Sequence, residues 1–215
     1  MKRIITVVLM LTLVLSSLSV AYANNEAVII EDPNLEIAIR QAINKPTGEI
    51  TQENMMGIQF LDINNVDINS LEGLQYAKRI ESLRIYNNDS QLTDLSPLRE
   101  LVKLRTIVIN NAKIEDLTPL ENLIQLDGLV FNYNNITDIS VLSNLPNLSG
   151  VEFKSNNISD ITPLYNLSKL RFLDFTFNNI SDIEVLSNLT NLKEIVLTGN
   201  KIEDIESLKG LTKLE

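Results

Sequence analysis

The feature that most constrains this chain is a repeat of apolar positions with a period of 22 residues. Within each unit, apolar side chains fall at the first, fourth, sixth, eleventh, fourteenth, seventeenth and twentieth positions. The four most regular units open at Leu126, Leu148, Leu170 and Leu192. Three earlier units open at Leu104, at Ile80, whose unit has 24 residues with two extra near Asp89 to Gln91, and at Ile58, whose unit is degenerate. A period of this length is typical of a solenoid, in which stacked coils bury the apolar edges that no single coil could bury alone.

The spacing inside one unit indicates a strand followed by a short return segment. "LRFLDF" alternates apolar and polar residues with period two, which predicts a strand with its apolar side inward. Ser or Thr before Pro-Leu predicts a capped start of a short helical turn with Pro at its first position. This pattern occurs at Ser96–Pro97, Thr118–Pro119 and Thr162–Pro163. The sequence therefore predicts an α/β repeat solenoid with a parallel sheet on its concave face and short helical turns on its convex face.

A column of Asn residues recurs at the ninth position of the units, where the chain bends inward. Its members are Asn88, Asn134, Asn156, Asn178 and Asn200, with Val66 and Ala112 in their place in two units. An Asn amide both donates and accepts, so it can satisfy backbone groups of two neighbouring coils from inside a turn. We interpret the column as a structural ladder; a sugar-binding or metal-binding row is less favoured, since the ladder explains the period.

A column of Asp residues follows four positions later. Its members are Asp94, Asp116, Asp138, Asp160, Asp182 and Asp204. Acid and base catalysis needs carboxylates in unlike environments, whereas these six are equivalent. We expect each Asp to accept backbone N–H bonds at a turn, with calcium binding as the alternative.

The first 23 residues have the layout of a secretory signal peptide: the basic start "MKR", an apolar run, and small residues ending at Ala21 and Ala23. The apolar run is shorter than the roughly 20 residues that span a bilayer. We expect cleavage after Ala23 and export of the chain that begins at Asn24, without membrane insertion. The destination is then secretion or the cell surface.

The composition excludes several kinds of chemistry. The chain has no Cys and no His, which rules out a Cys nucleophile, the Ser-His-Asp arrangement and the usual zinc ligands. Removing Lys2 and Arg3 from 18 basic residues leaves 16 against 28 acidic ones, a net charge of −12. An acidic surface is poorly suited to nucleic acid. We therefore expect no catalysis, no cofactor and no nucleic-acid partner.

Residues 24–57 precede the repeat and predict a helical cap. Asp32 is placed as an N-cap, Pro33 in the first turn, and Leu35 and Ile39 on one helical face. "TQENMM", from Thr51, predicts a second short helical turn. Together they would cover the open end of the first coil, followed by seven repeats over residues 58–213 and the start of a truncated eighth at 214–215.

With these residues laid out, the chain resembles the internalin-like, 22-residue class of bacterial leucine-rich repeat proteins. The resemblance rests on the helical cap and on the repeated "LxxLxLxxNxIxDIxxLxxL" from about Glu31 onward. It implies export to, or attachment at, the surface of Gram-positive bacteria, and recognition of a partner protein, often from a host, on the concave face. No sorting motif, wall-binding module or immunoglobulin-like cap follows the repeats, which suggests a truncated chain.

Because the scaffold positions are structural, the candidate binding residues are the outward ones, at the third, fifth, seventh and eighth positions. We expect them to form a concave binding face that includes Arg84, Tyr86, Tyr133, Glu152, Phe172, Asp174, Thr176 and Phe177. Aromatic anchors rimmed by charges are typical of protein-binding hot spots. Phe60 is the exception, since the cap would cover it.

The leading hypothesis is an exported, monomeric module for protein–protein recognition, in adhesion or in binding a host partner. The alternative is a targeting module of a larger surface enzyme or wall-associated protein. A carbohydrate-binding array ranks last, because the aromatics are scattered over several columns.

Overall fold

The computed structural model describes residues 26–86 and 89–215. The N-terminal part is a cap of two helices, α1 (Pro33–Ala42) and α2 (Gln52–Met55). Asp32 is the N-cap of α1, as predicted, and its buried carboxylate accepts from the backbone N–H of Asn34 and Leu35. Its second oxygen accepts from Asn69 N at 2.7 Å. One buried side chain therefore starts the cap helix and ties it to the first coil.

The repeats form one parallel sheet of seven strands in sequence order. The strands are β1 (Phe60–Asn64), β2 (Ser82–Tyr86), β3 (Thr106–Ile109), β4 (Gly128–Val130), β5 (Gly150–Glu152), β6 (Phe172–Asp174) and β7 (Glu194–Val196). Residues at the same position of successive units are paired, for example Leu129 with Val151. This in-register stacking confirms the α/β solenoid predicted from the period.

The core runs through the array as one cluster of buried apolar side chains. Burial alternates along β1, where Leu61 and Ile63 are buried while Phe60 and Asp62 are exposed. In the middle coils the sixth position holds Phe131, Phe153 and Phe175, all fully buried. Their ring centroids lie 5.7 Å apart, edge to face in the first pair and stacked in the second.

The return segments on the convex side are short 3-10 turns, for example Ser96–Leu98, Thr118–Leu120 and Thr162–Leu164. The prediction for how these turns begin needs one correction, because the Ser or Thr before Pro-Leu forms no side-chain capping hydrogen bond. The cap is the Asp two residues earlier: Asp94 Oδ1 accepts from Ser96 N at 2.7 Å. The same bond forms at Asp116, Asp138, Asp160, Asp182 and Asp204. The Asp column therefore starts the convex turns.

Each Asn of the ladder bonds to backbone groups of the preceding coil. Asn156 Nδ2 donates to Phe131 O at 2.8 Å, and its Oδ1 accepts from Ile136 N at 3.0 Å. Equivalent pairs of bonds form at Asn134, Asn178 and Asn200. Asn88 lies outside the described residues. Both ends of each amide thus satisfy buried groups that have no strand partner.

The last coil is less covered than the middle ones. Ile195 and Leu197 are only partly buried, and Ile205 is exposed, whereas their counterparts in earlier coils are buried. Across residues 26–86 and 89–215, no helix is both long and apolar enough to cross a membrane.

Candidate partner-binding face

The outward positions of the strands and of the residues just after them form the concave face. At its N-terminal end, Arg84 and Tyr86 of β2 are partly exposed. Phe60 was expected to lie under the cap, and this prediction is wrong, since the side chain is 63% exposed. The two cap helices pack over the end of the core and leave the outward side of β1 open.

Apart from Phe60, the most exposed aromatic side chains of this face are Tyr133 and Phe177, at 58% and 61%. Both occupy the eighth position of their coils and both have left-handed backbone, with φ of 57° and 54°. This φ is shared by the eighth position of the other described coils. The residues there are Asn65, Asn111, Ser155 and Gly199.

Left-handed backbone is most easily adopted by Gly, Asn and Asp, and a bulky residue there is an outlier. Asn65, Asn111 and Gly199 fit that preference, whereas Tyr133 and Phe177 do not. The turn supplies the conformation in every coil whose eighth position is described, so an aromatic ring at this position costs stability and is not demanded by the fold. Strain of this kind points to function.

Phe177 is supported by the coil that follows it. A Cβ placed on Gly199 would collide with the Phe177 ring, which therefore lies directly against the Gly199 backbone. Phe172 and Thr176, the other candidates of this coil, are partly exposed. One coil thus presents two aromatic rings and a hydroxyl on the concave face.

Asp174 was predicted to be open to a partner, and the structure corrects this, because the residue is only 5% exposed. Its Oδ1 accepts from Thr176 N at 3.0 Å and its Oδ2 lies 3.3 Å from Lys154 Nζ. Lys154, from the neighbouring coil, covers the carboxylate. Asp174 therefore positions its neighbours and has little surface to offer a partner.

Lys154 lies at the centre of this polar cluster. Its ammonium is 2.9 Å from Glu152 Oε1, which also accepts from Asn132 Nδ2 at 2.7 Å. The hydrogen bond with Glu152 is the main cause that raises the pKa of Lys154, opposed by partial burial and assisted by Asp174. Glu152 is partly exposed but already has two partners.

Three features of this face are not predicted by the repeat pattern: Lys154, Asn132 and the left-handed eighth position. A signal for the eighth position was present, because Asn and Gly recur there in several units. Lys154 could also have been found: it follows Glu152 by two residues, and in-register stacking places it next to Asp174.

The convex side carries a different surface. Between the turns that start at Thr162 and Glu184 lies a groove of about 610 Å³, lined by Tyr165, Val185 and the carboxylates of Asp160 and Asp182. Both Asp side chains already accept a backbone N–H there. Within the part of the chain that the structure describes, no three acidic side chains lie close enough to hold a metal ion.

Comparison with known proteins agrees with this architecture. A family model described as leucine-rich repeats, in two copies, matches residues 168–210. No curated protein matches the chain. Among solved structures, internalin C2 from Listeria monocytogenes is 33% identical, with a TM-score of 0.68, over 86% of this chain and 92% of that one.

Two further structures are similar. Internalin F from Listeria monocytogenes is 26% identical, with a TM-score of 0.54, over 87% of this chain and 81% of that one. A leucine-rich repeat protein from Leptospira interrogans shares the fold, with a TM-score of 0.70 at 22% identity over 76% of this chain and 43% of that one. The period, the cap, the Asn ladder and the similarity to internalin C2 lead to one conclusion: this chain belongs to the internalin-like family of leucine-rich repeat proteins, a fold that supports protein–protein interaction.

Proposed function

We propose that this chain is an exported bacterial recognition module that binds a partner protein through its concave face, in adhesion or host recognition, and that it is not an enzyme. The observation that carries the proposal is the pair Tyr133 and Phe177. Both rings are exposed, and both occupy a left-handed position that the other described coils fill with Asn, Ser or Gly. A binding role accounts for rings that the fold does not need.

The surrounding residues suit a protein partner. Phe172 and Thr176 lie in the same coil as Phe177, and the charges of Glu152, Lys154 and Asp174 are tied to one another. An interface needs an apolar centre with its polar groups satisfied, and charged groups are depleted at such centres. The predicted signal peptide, which lies outside the described residues, supports export.

Site-specific photo-cross-linking tests the proposal. A benzophenone amino acid is placed at Tyr133, at Phe177, or at Tyr165, which is 59% exposed on the convex side and serves as a matched control. Each protein is incubated with surface proteins of host cells. We expect a discrete adduct from positions 133 and 177, competed by excess wild-type chain, and none from 165.

A second experiment uses as competitor a triple variant that carries Tyr133→Ala, Phe172→Ala and Phe177→Ala. If it is folded, as judged by an unchanged circular dichroism spectrum, it should fail to compete. Adducts that form equally from position 165, or full competition by the folded triple variant, would contradict concave-face recognition.

A further inference from the structure

Two glycines lie side by side in the middle of the concave face. Gly128 of β4 pairs in register with Gly150 of β5, and both occupy the outward third position. Thr106 of β3 flanks them on one side and Phe172 of β6 on the other. Two adjacent strands therefore expose bare backbone between two side chains.

The fold does not require glycine at either place. Neither residue is among those with positive φ. A Cβ on Gly128 would meet Thr106 Cγ2 and Oγ1 at 3.8 Å, and one on Gly150 would meet Phe172 Cδ1 at 4.0 Å, both ordinary van der Waals contacts. Gly199 differs, since it has positive φ and the Phe177 ring packs against its backbone. Glycine inside a strand weakens it, and often marks a place where another group approaches the backbone closely.

On this basis, and resting on the proposed function, we propose that Gly128 and Gly150 form the floor of a notch that receives an aromatic side chain of the partner protein. The Cα atoms of Thr106 and Phe172 are three strand spacings apart, roughly 14 Å. That span leaves room for one ring lying flat on the glycine backbone beside Phe172.

The chemistry of the notch favours an uncharged occupant. The backbone N–H groups of both glycines already have acceptors, since Gly128 N donates to Arg105 O and Gly150 N donates to Asp127 O. The nearest carboxylate on the face, Glu152, is held by Lys154 and Asn132.

At the strand entrance, Asp127 lies 3.9 Å from Arg105. Apart from the Thr106 hydroxyl at its edge, what remains open is apolar: the ring of Phe172, the side chain of Val130 and the flat backbone. A sugar would need several free donors and acceptors, whereas the N–H groups of both glycines are engaged. A charged side chain would find Glu152 and Asp127 already paired.

Disulfide tethering tests the notch directly, because the chain has no Cys and one engineered thiol is therefore unique. Val130→Cys places that thiol on the outward side of β4, two residues from Gly128. The full chain is equilibrated under mild reducing conditions with 2-phenylethanethiol, cysteamine or 1-thioglucose, and the adduct fraction is read by mass spectrometry. Tyr165→Cys is the reference on the convex side.

We expect the phenylethyl adduct to be enriched about fivefold or more at Val130→Cys over the reference, because the ring is removed from water. Adding Gly128→Ala and Gly150→Ala should abolish the enrichment while the melting temperature stays the same or rises. Adding Gly210→Ala instead should change nothing, since that glycine has open space around it and lies on the convex side.

An enrichment that survives the double glycine change would overturn the notch, as would a stronger enrichment of thioglucose or cysteamine. This experiment is independent of the cross-linking test. Tethering can show that the notch binds no aromatic ring while Tyr133 and Phe177 still cross-link to a protein. If cross-linking fails, the tethering experiment still shows whether the notch binds an aromatic ring.

Discussion

The eighth residue of each coil shows how backbone and function compete at a single position. At the six described eighth positions the turn fixes a left-handed φ, whatever side chain is present. Asn and Gly relieve the strain, whereas Tyr133 and Phe177 accept it and project a ring. The two aromatic residues therefore make the protein less stable than Asn or Gly would at the same positions. This difference in the free energy of unfolding can be measured.

Replacing Tyr133 by Asn should stabilise the protein by about 1 kcal/mol, because Asn tolerates left-handed backbone better than a bulky residue. Urea denaturation measures the change in the free energy of unfolding. Tyr165→Asn is the matched control, since Tyr165 is equally exposed but has φ of −45° and no strain to relieve. A loss of stability in Tyr133→Asn would show that the ring makes contacts that outweigh its strain.

Replacing Asn156 by Ala should destabilise the protein by about 2–6 kcal/mol. The change leaves the buried Phe131 carbonyl and the Ile136 N–H without their partner, and each unsatisfied group costs roughly 1–3 kcal/mol. Asn157→Ala, at the exposed neighbouring residue, should be close to neutral by the same denaturation assay. Equal losses of stability in Asn156→Ala and Asn157→Ala would show that the ladder hydrogen bonds do not stabilise the protein.

At the scale of elements, β5 and β6 are joined by charge as well as by the sheet. Lys154 bridges Glu152 of its own coil and Asp174 of the next. The cluster aligns three side chains of the candidate face while leaving little free charge. Its contribution to stability depends on the ammonium being protonated.

The raised pKa of Lys154 means that this stabilisation is fully present at neutral pH and is lost as pH rises through the folded pKa, above the ordinary lysine value of roughly 10.4. Melting temperatures of wild type and Lys154→Met should therefore differ by a constant amount below that pH and converge above it. The double variant Glu152→Gln, Asp174→Asn should show the same convergence. A difference that persists into the alkaline range would assign the effect of Lys154 to its packing.

The sequence predicts these elements well where the period determines them. The strands recur in all seven coils, the Asn ladder in five and the Asp turns in six, so one correct assignment fixes most of them. Asp174 was misjudged because its burial depends on which side chain the next coil places beside it. The Ser and Thr caps were misjudged because the N–H groups two and three residues after each Ser or Thr bond to backbone carbonyls, while Asp94 and its equivalents accept the N–H of the Ser or Thr itself.

At the scale of the whole molecule, the array is a row of coils that contact only their neighbours, so damage should remain local. Phe153 lies between Phe131 and Phe175 in the core. Phe153→Ala should cost about 3–5 kcal/mol through the cavity it leaves. Amide hydrogen exchange should accelerate most around β4, β5 and β6, and least near the cap.

Phe153→Leu should cost less, since Leu197 occupies the same position in the last coil. An equal acceleration in every coil after Phe153→Ala would show that the array unfolds as one cooperative unit instead.

The ladder also gives the array a direction. Each Asn reaches back: Asn178 bonds to Phe153 O and Ile158 N, and Asn200 to Phe175 O and Ile180 N. A coil therefore acquires its last buried hydrogen bonds only when the next coil is in place. A chain emerging from the ribosome, N-terminus first, would complete each turn with the one made after it, so that a growing array carries a single unfinished coil at its leading end.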